Sequence, residues 1–167
     1  MDNILYSSNT SDWITPPQIV QLVCKVFGEL EGIDLDPCAD VNKSIPAKQH
    51  YIPPTSNGLT EPWWGRVYMN PPYGKDIINW VCKLKDEYEN EERIYEAIAL
   101  VPARVDTQWW QVLSNYPVCF IKGRLRFSGH NNSAPFPSAV IYLGGNVQKF
   151  IEIFFVVGTV YIPMEYY

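Results

Sequence analysis

Four consecutive residues, Asn70-Pro71-Pro72-Tyr73, combine a side-chain amide, two rigid rings and an aromatic plane, a set suited to chemistry on a flat amino group. The amide oxygen of Asn70 and the main-chain carbonyl of Pro71, whose ring fixes φ, make two acceptors aimed at one point. Two acceptors match the two N–H bonds of an exocyclic amine or a primary amide. Such a nitrogen is a poor nucleophile because its lone pair is delocalised, and accepting both hydrogens favours a more tetrahedral nitrogen with the lone pair freed. Tyr73 would clamp the planar substrate by stacking, worth roughly 1–3 kcal/mol for a base on an aromatic ring. The plain alternative is a proline-rich turn with a buried tyrosine.

The elements around this tetrapeptide must place it at an open edge. Arg66 to Met69 is a short β-branched and aromatic run, and the two prolines that follow forbid both helix and ladder hydrogen bonding. Asn70 therefore closes a strand, and in open α/β sheets ligands bind outside the strands' carboxyl ends. Ile33-Asp34-Leu35 reads as a second short strand, leading into Asp36-Pro37-Cys38-Ala39-Asp40. Glu96 to Val101 is nearly all apolar, as expected of a buried parallel strand, and ends in Pro102-Ala103-Arg104 at the same edge as Asn70.

Asn70-Pro71-Pro72-Tyr73 looks like the (Asp/Asn/Ser)-Pro-Pro-(Tyr/Phe) signature of S-adenosylmethionine-dependent amino-group methyltransferases. The series Asp12-Trp13-Ile14-Thr15-Pro16-Pro17, Leu35-Asp36-Pro37-Cys38-Ala39, Asn57-Gly58-Leu59, Asn70 to Tyr73, and Pro102-Ala103-Arg104 with Trp109-Trp110 occurs in this order. As a whole it resembles the small phage-type DNA N-6-adenine methyltransferase family, over about residues 7 to 143. The resemblance implies a single domain with an abridged Rossmann-like class I methyltransferase fold, a mixed α/β sheet flanked by helices. It implies that Asn70, Pro71, Pro72 and Tyr73 form the catalytic loop. Trp13, Thr15, Pro16, Asp36, Pro37, Cys38 and Ala39 would line the cofactor site, with Thr15 and Pro16 near the methionine end and Asp36 accepting hydrogen bonds beside the positive sulfonium. Asn57-Gly58-Leu59 stands where the family carries Asp-Gly-Leu or similar.

No glycine lies between Gly32 and Gly58, so the Gly-rich turn of generic dinucleotide binding is absent. Asp36 and Asn70 are 34 positions apart, too close for strand, helix, strand, helix and strand between them. The sheet must therefore be abridged at this point.

Composition sets the outer bounds. The chain has 167 residues, 47 % of them hydrophobic, which suits one domain with a sizeable core and excludes a disordered protein. No apolar run reaches membrane-spanning length, and Met1-Asp2-Asn3-Ile4 lacks the layout of a signal peptide, so a cytoplasmic address is expected. Cys24, Cys38, Cys82 and Cys119 are widely spaced, with only His50 and His130 beside them, which predicts reduced, mostly buried thiols and no metal site.

A formal net charge of -5 argues against nucleic-acid binding, since phosphate contacts need Lys and Arg. The acids, however, concentrate in Asp86 to Glu92, whereas Arg104, Lys122, Arg124 and Arg126 have few acidic neighbours. In Gly123-Arg124-Leu125-Arg126-Phe127 the arginines alternate with apolar residues, a basic stripe over a packed extended segment. Arg104, Lys122, Arg124 and Arg126 are the DNA-contact candidates, and Gly129 to Pro137 the candidate mobile loop near DNA. A chain this small can dimerise to grip a duplex.

Elsewhere, residues 1–12 read as a polar arm. Thr15-Pro16-Pro17-Gln18 has the layout of a capping box at the start of a helix that ends at Gly28 and buries Ile19, Val20, Val23, Val26 and Phe27. Trp13 reads equally as a cofactor lid or a hydrophobic staple. Residues 41–65 read as loop. Ile77, Val81, Leu84 and Tyr88 define an amphipathic helix from Lys75 to about Glu89. Asp106 is expected to cap a short helix carrying Trp109 and Trp110 in the core. Pro117 to Ile121 and Ser138 to Leu143 are further strands, Asn146 caps a helix over Val147 to Phe155, and Gly158 to Ile162 is the last strand.

Three activities fit the tetrapeptide: methyl transfer to adenine N6 in DNA with the base flipped out, to an RNA adenine, or to a protein glutamine amide. The ordered series of motifs favours DNA. A non-catalytic acidic partner-binding protein would leave that series unexplained.

Overall fold

The computed structural model describes residues 13–164, so the arm expected over residues 1–12 lies outside the described residues. In chain order the elements are α1 (Pro17–Phe27), β1 (Ile33–Asp36), β2 (Ala47–His50), β3 (Gly65–Met69), α2 (Ile77–Glu89), β4 (Ile94–Pro102), α3 (Gln108–Val112), β5 (Val118–Ile121), β6 (Ser138–Leu143), α4 (Val147–Phe154) and β7 (Gly158–Tyr161). The strands form one mixed sheet in the order β2-β1-β3-β4-β6-β5-β7. The first four are mutually parallel, whereas β6 runs antiparallel to both β4 and β5, and β7 antiparallel to β5.

Helices cover both faces, which is why β4 reads as a continuous apolar run rather than an alternating one. On one face Ile77, Val81 and Leu84 of α2 and Trp109 and Trp110 of α3 pack on Val67, Met69, Ala97, Ala99 and Val101. On the other, Ile19 and Val23 of α1 and Phe150 and Phe154 of α4 pack on Tyr68, Ile98, Leu100, Val140 and Tyr142. Trp109 and Trp110 are thus core residues, as their apolar neighbours imply.

Several local expectations change. Residues 41–65 contain β2, a strand with two exposed polar residues that pairs in parallel with β1 and is tied down by Lys48 to Asp34 at 2.6 Å and by Trp64 Nε1, which donates to Gln49 Oε1 at 2.7 Å. The link from β1 to β2 contains no helix, so the abridgement falls on this side of the sheet. Helix α1 begins at Pro17 with Pro16 as N-cap and no side-chain cap; the Thr15 hydroxyl is engaged elsewhere. Thr107 rather than Asp106 caps α3, accepting from Trp110 N at 3.4 Å. Asn146 takes the N-cap position of α4 without a side-chain cap bond. All four cysteines are free, but only Cys119 is buried, with Cys82 exposed. Gly129 to Pro137 is anchored, since Ala134 N donates to Leu125 O at 2.8 Å and Ala134 and Phe136 are buried.

The acidic run is segregated from the other chain elements of interest. Helix α2 starts just after the Asn-Pro-Pro-Tyr loop and runs back to where β4 begins, so Asp86 to Glu92 sits at the sheet edge opposite Asn70. Buried Glu87 is held there by Lys83 at 2.5 Å and Arg93 at 3.3 Å. Among the described residues, no helix is long and apolar enough to cross a membrane.

Candidate active site at the carboxyl edge of the sheet

From β1 the chain steps outward to β2, then crosses back to place β3 on the other side of β1. The β1/β3 boundary is therefore a topological switch point, where open α/β sheets leave a crevice for ligands. Asp36 ends β1 and Asn70 follows β3, with Leu35 opposite Val67 in the ladder. Two residues singled out for their chemistry thus meet at one crevice.

Asn70 is oriented by its surroundings. Its Nδ2 donates to the main-chain carbonyl of Trp13 at 2.6 Å and to Thr15 Oγ1 at 3.2 Å. A carbonyl can only accept, so the amide nitrogen must face Trp13 and the oxygen must point away. Both N–H bonds are then used, while Oδ1 is buried with no hydrogen-bond partner among the described residues. Unpartnered buried acceptors cost roughly 1–3 kcal/mol and ask for an explanation. Behind Thr15, the hydroxyl of Tyr68 lies 2.7 Å from Thr15 Oγ1, and burial pushes the Tyr68 phenol far above its ordinary value.

Tyr73 is held as a fixed plane. Its hydroxyl donates to Leu100 O at 3.3 Å, and its ring meets Phe127 and Phe136 edge to face at 6.4 and 5.5 Å. Trp13 joins the same aromatic group, stacked on His130 at 4.7 Å with 4° between the planes and edge-on to Phe127 and Phe136. Ile14 and Ser128 form an antiparallel bridge beside it.

Asp36 is 3 % exposed, and its Oδ1 accepts from Cys38 N at 3.1 Å. Burial lifts its pKa to about 7, against the lowering effect of that hydrogen bond. Pro37 and Ala39 are buried beside it. Asn57-Gly58-Leu59 packs onto this turn: a Cβ on Gly58 would fall far inside van der Waals distance of Pro37 O, so only glycine fits the approach. The Gly58 carbonyl in turn accepts from Trp63 Nε1 at 2.6 Å.

The candidate DNA contacts are all exposed: Arg104 after β4, and Lys122, Arg124 and Arg126 in the loop from β5 to β6. The alternation holds, with Leu125 and Phe127 buried between the arginines. That loop leaves and re-enters the sheet at the Asn70 edge, since Ser138 pairs with Pro102. Residues 122–137 contain no Asp or Glu. Among the described residues Arg104, Lys122 and Arg124 form no ion pair, and Arg126 Nε donates to His130 O at 3.0 Å.

Sequence reasoning missed Tyr68, Phe127, His130 and Phe136 as parts of this cluster. Tyr68 was legible by strand parity, because it shares the face of Asn70, two residues on. The other three come from a loop whose folding back no periodicity announces. A groove of about 580 Å³ lined by Gln49, Tyr51, Trp63, Trp64 and Arg93 contains none of the site residues.

No curated protein matches the chain significantly. The family model for DNA N-6-adenine-methyltransferase (Dam) matches residues 4–148, a span holding the switch point, the Asn-Pro-Pro-Tyr loop and the basic loop, and the chain belongs to that family.

Proposed function

We propose that this protein transfers a methyl group from S-adenosylmethionine to the N6 amine of adenine in DNA. The observation that carries the reading is the Asn70 amide: its nitrogen is fully bonded to the protein, and its oxygen is a buried acceptor with no donor among the described residues. A substrate N–H supplies the missing donor, and the carbonyl of Pro71 offers a second acceptor one residue on. Because the following residue is Pro72, the loop holds these acceptors rigidly. Tyr73, fixed through Leu100 O and the two phenylalanines, stacks against the base.

The residues fit a cationic cofactor. Asp36 is a buried carboxyl group with no ion pair among the described residues, a placement that a neighbouring positive charge stabilises. Asp36, Pro37, Cys38 and Ala39 would hold it, with Trp13, Thr15 and Pro16 flanking. When bound, the cofactor supplies an electrophilic methyl group on a sulfonium centre. The protein's part is placement in a pocket that excludes water, and no side chain need act as a base, since the amine's proton can leave after the methyl has been transferred.

Adenine in a duplex is stacked and must be flipped out to reach Asn70, at a cost of a few kcal/mol. The acid-free loop with Lys122, Arg124 and Arg126, joined by Arg104, offers cations to the flanking phosphates, while the acids of α2 lie at the far edge. The test is transfer of labelled methyl to duplex DNA, single-stranded DNA, RNA and a glutamine peptide. Label recovered as N6-methyladenine in DNA is the expected result; label confined to RNA or peptide would overturn the choice of substrate.

A further inference from the structure

Asn70 can serve as an acceptor only while its amide keeps one of two orientations. Turned over about its last side-chain bond, the same amide would present two N–H donors to a substrate amine, donor against donor. What fixes the orientation is a short stretch far away in sequence: the Trp13 carbonyl and the Thr15 hydroxyl take both Nδ2 hydrogens. The hydroxyl is itself held by Tyr68 at 2.7 Å.

That stretch is in turn seated on the basic loop. Ser128 N donates to Ile14 O at 2.9 Å, between the two residues that grip Asn70. The Trp13 ring stacks on His130 and meets Phe127 and Phe136, all from the same loop. Arg126, a candidate phosphate contact, donates to the carbonyl of His130 at 3.0 Å. One chain of contacts therefore runs from Arg126 through His130 and Trp13 to the Asn70 amide.

We propose that Trp13, through its carbonyl, and Thr15 are positioning residues for Asn70, and that the loop of residues 122–137 sets them. DNA engagement and the orientation of the acceptor then form one unit, in which the amide is fully ordered when the loop is seated. This rests on the reading of Asn70 given above.

The test compares wild type, Thr15→Val, Thr15→Ser and His130→Ala for kcat, KM for DNA, cofactor affinity and melting temperature. Thr15→Val keeps the shape and loses the hydroxyl, so kcat is expected to fall about tenfold or more, the scale of a lost hydrogen bond, with cofactor affinity little changed; the melting temperature should fall by several degrees because Tyr68 and Asn70 lose a buried partner. Thr15→Ser should hold within about twofold of wild type, since it keeps the acceptor. His130→Ala should lower kcat rather than raise KM, because a residue that merely touched DNA would move KM. Wild-type kcat in Thr15→Val, or cofactor affinity lost at unchanged kcat, would overturn the positioning role alone. Unchanged kcat in His130→Ala would overturn the loop's part in it. No methyl transfer by the wild type would overturn the parent reading and this role together.

Discussion

Asp36, the last residue of β1, lies opposite Tyr68 in the parallel pairing with β3, and Asn70 follows two residues further on at the same sheet edge. An acidic group suited to a cationic cofactor and an acceptor suited to an amine thus flank the crevice at the switch point. The proposed chemistry needs that proximity, because the methyl group passes directly between the two ligands.

Replacing Asn70 by Ala removes the acceptor while leaving the Asp36 turn intact. Turnover is expected to fall about 100-fold or more, the scale seen when one preorganised polar group is removed from an active site. Cofactor affinity, measured by calorimetry, should stay within a few fold. Persisting activity would refute the role given to Asn70.

The raised pKa of Asp36 has two consequences of opposite sign. Its folded value of about 7 lies above the ordinary 3.8, so the folded protein holds a proton that the unfolded chain has lost between those values. The contribution of Asp36 to the stability of the ligand-free protein should therefore be fully present below about pH 4, fall as pH rises towards 7 and level off above it. A bound cation favours the ionised form, so cofactor affinity should rise through pH 7 and then plateau, with proton release on binding at lower pH. Asp36→Asn should flatten both profiles. Melting curves and calorimetry in buffers of different ionisation heat would show it, and an unaltered affinity profile in the variant would remove Asp36 from the cofactor site.

Arg124→Ala combined with Arg126→Ala should weaken DNA binding and reduce the slope of log K against log salt by about two, close to one for each phosphate that is no longer neutralised. Fluorescence anisotropy over a salt series measures this directly. A slope equal to that of wild type would take this segment out of the interface.

Gly58→Ala tests the packing of the Asn57-Gly58-Leu59 segment on the Asp36 turn. The new methyl would overlap the Pro37 carbonyl and lie 2.8 Å from the Trp80 ring, so the turn must shift. The expected loss is about 1–3 kcal/mol in urea unfolding, typical of overpacking, with weaker cofactor binding beside it. Wild-type stability would mean that the turn gives way at no cost.

Features that one segment expresses by itself could be read from the chain. The apolar spacing of Ile77, Val81 and Leu84 determines α2, the unbroken run from Ala97 to Val101 determines a strand buried on both faces, and the prolines after Met69 determine that Asn70 ends a strand. The ordered motifs likewise carry the family resemblance in the chain alone. Ala47–His50, in contrast, carries no strand signal, because two exposed polar residues become a strand only through pairing with β1. Thr15 has the local look of a helix cap, yet its hydroxyl bonds Tyr68, 53 positions away, and the orientation of Asn70 is set by Trp13 across 57 positions. Periodicity and turn chemistry act over a few residues, so they specify elements; which distant donor meets which acceptor is decided only when those elements pack.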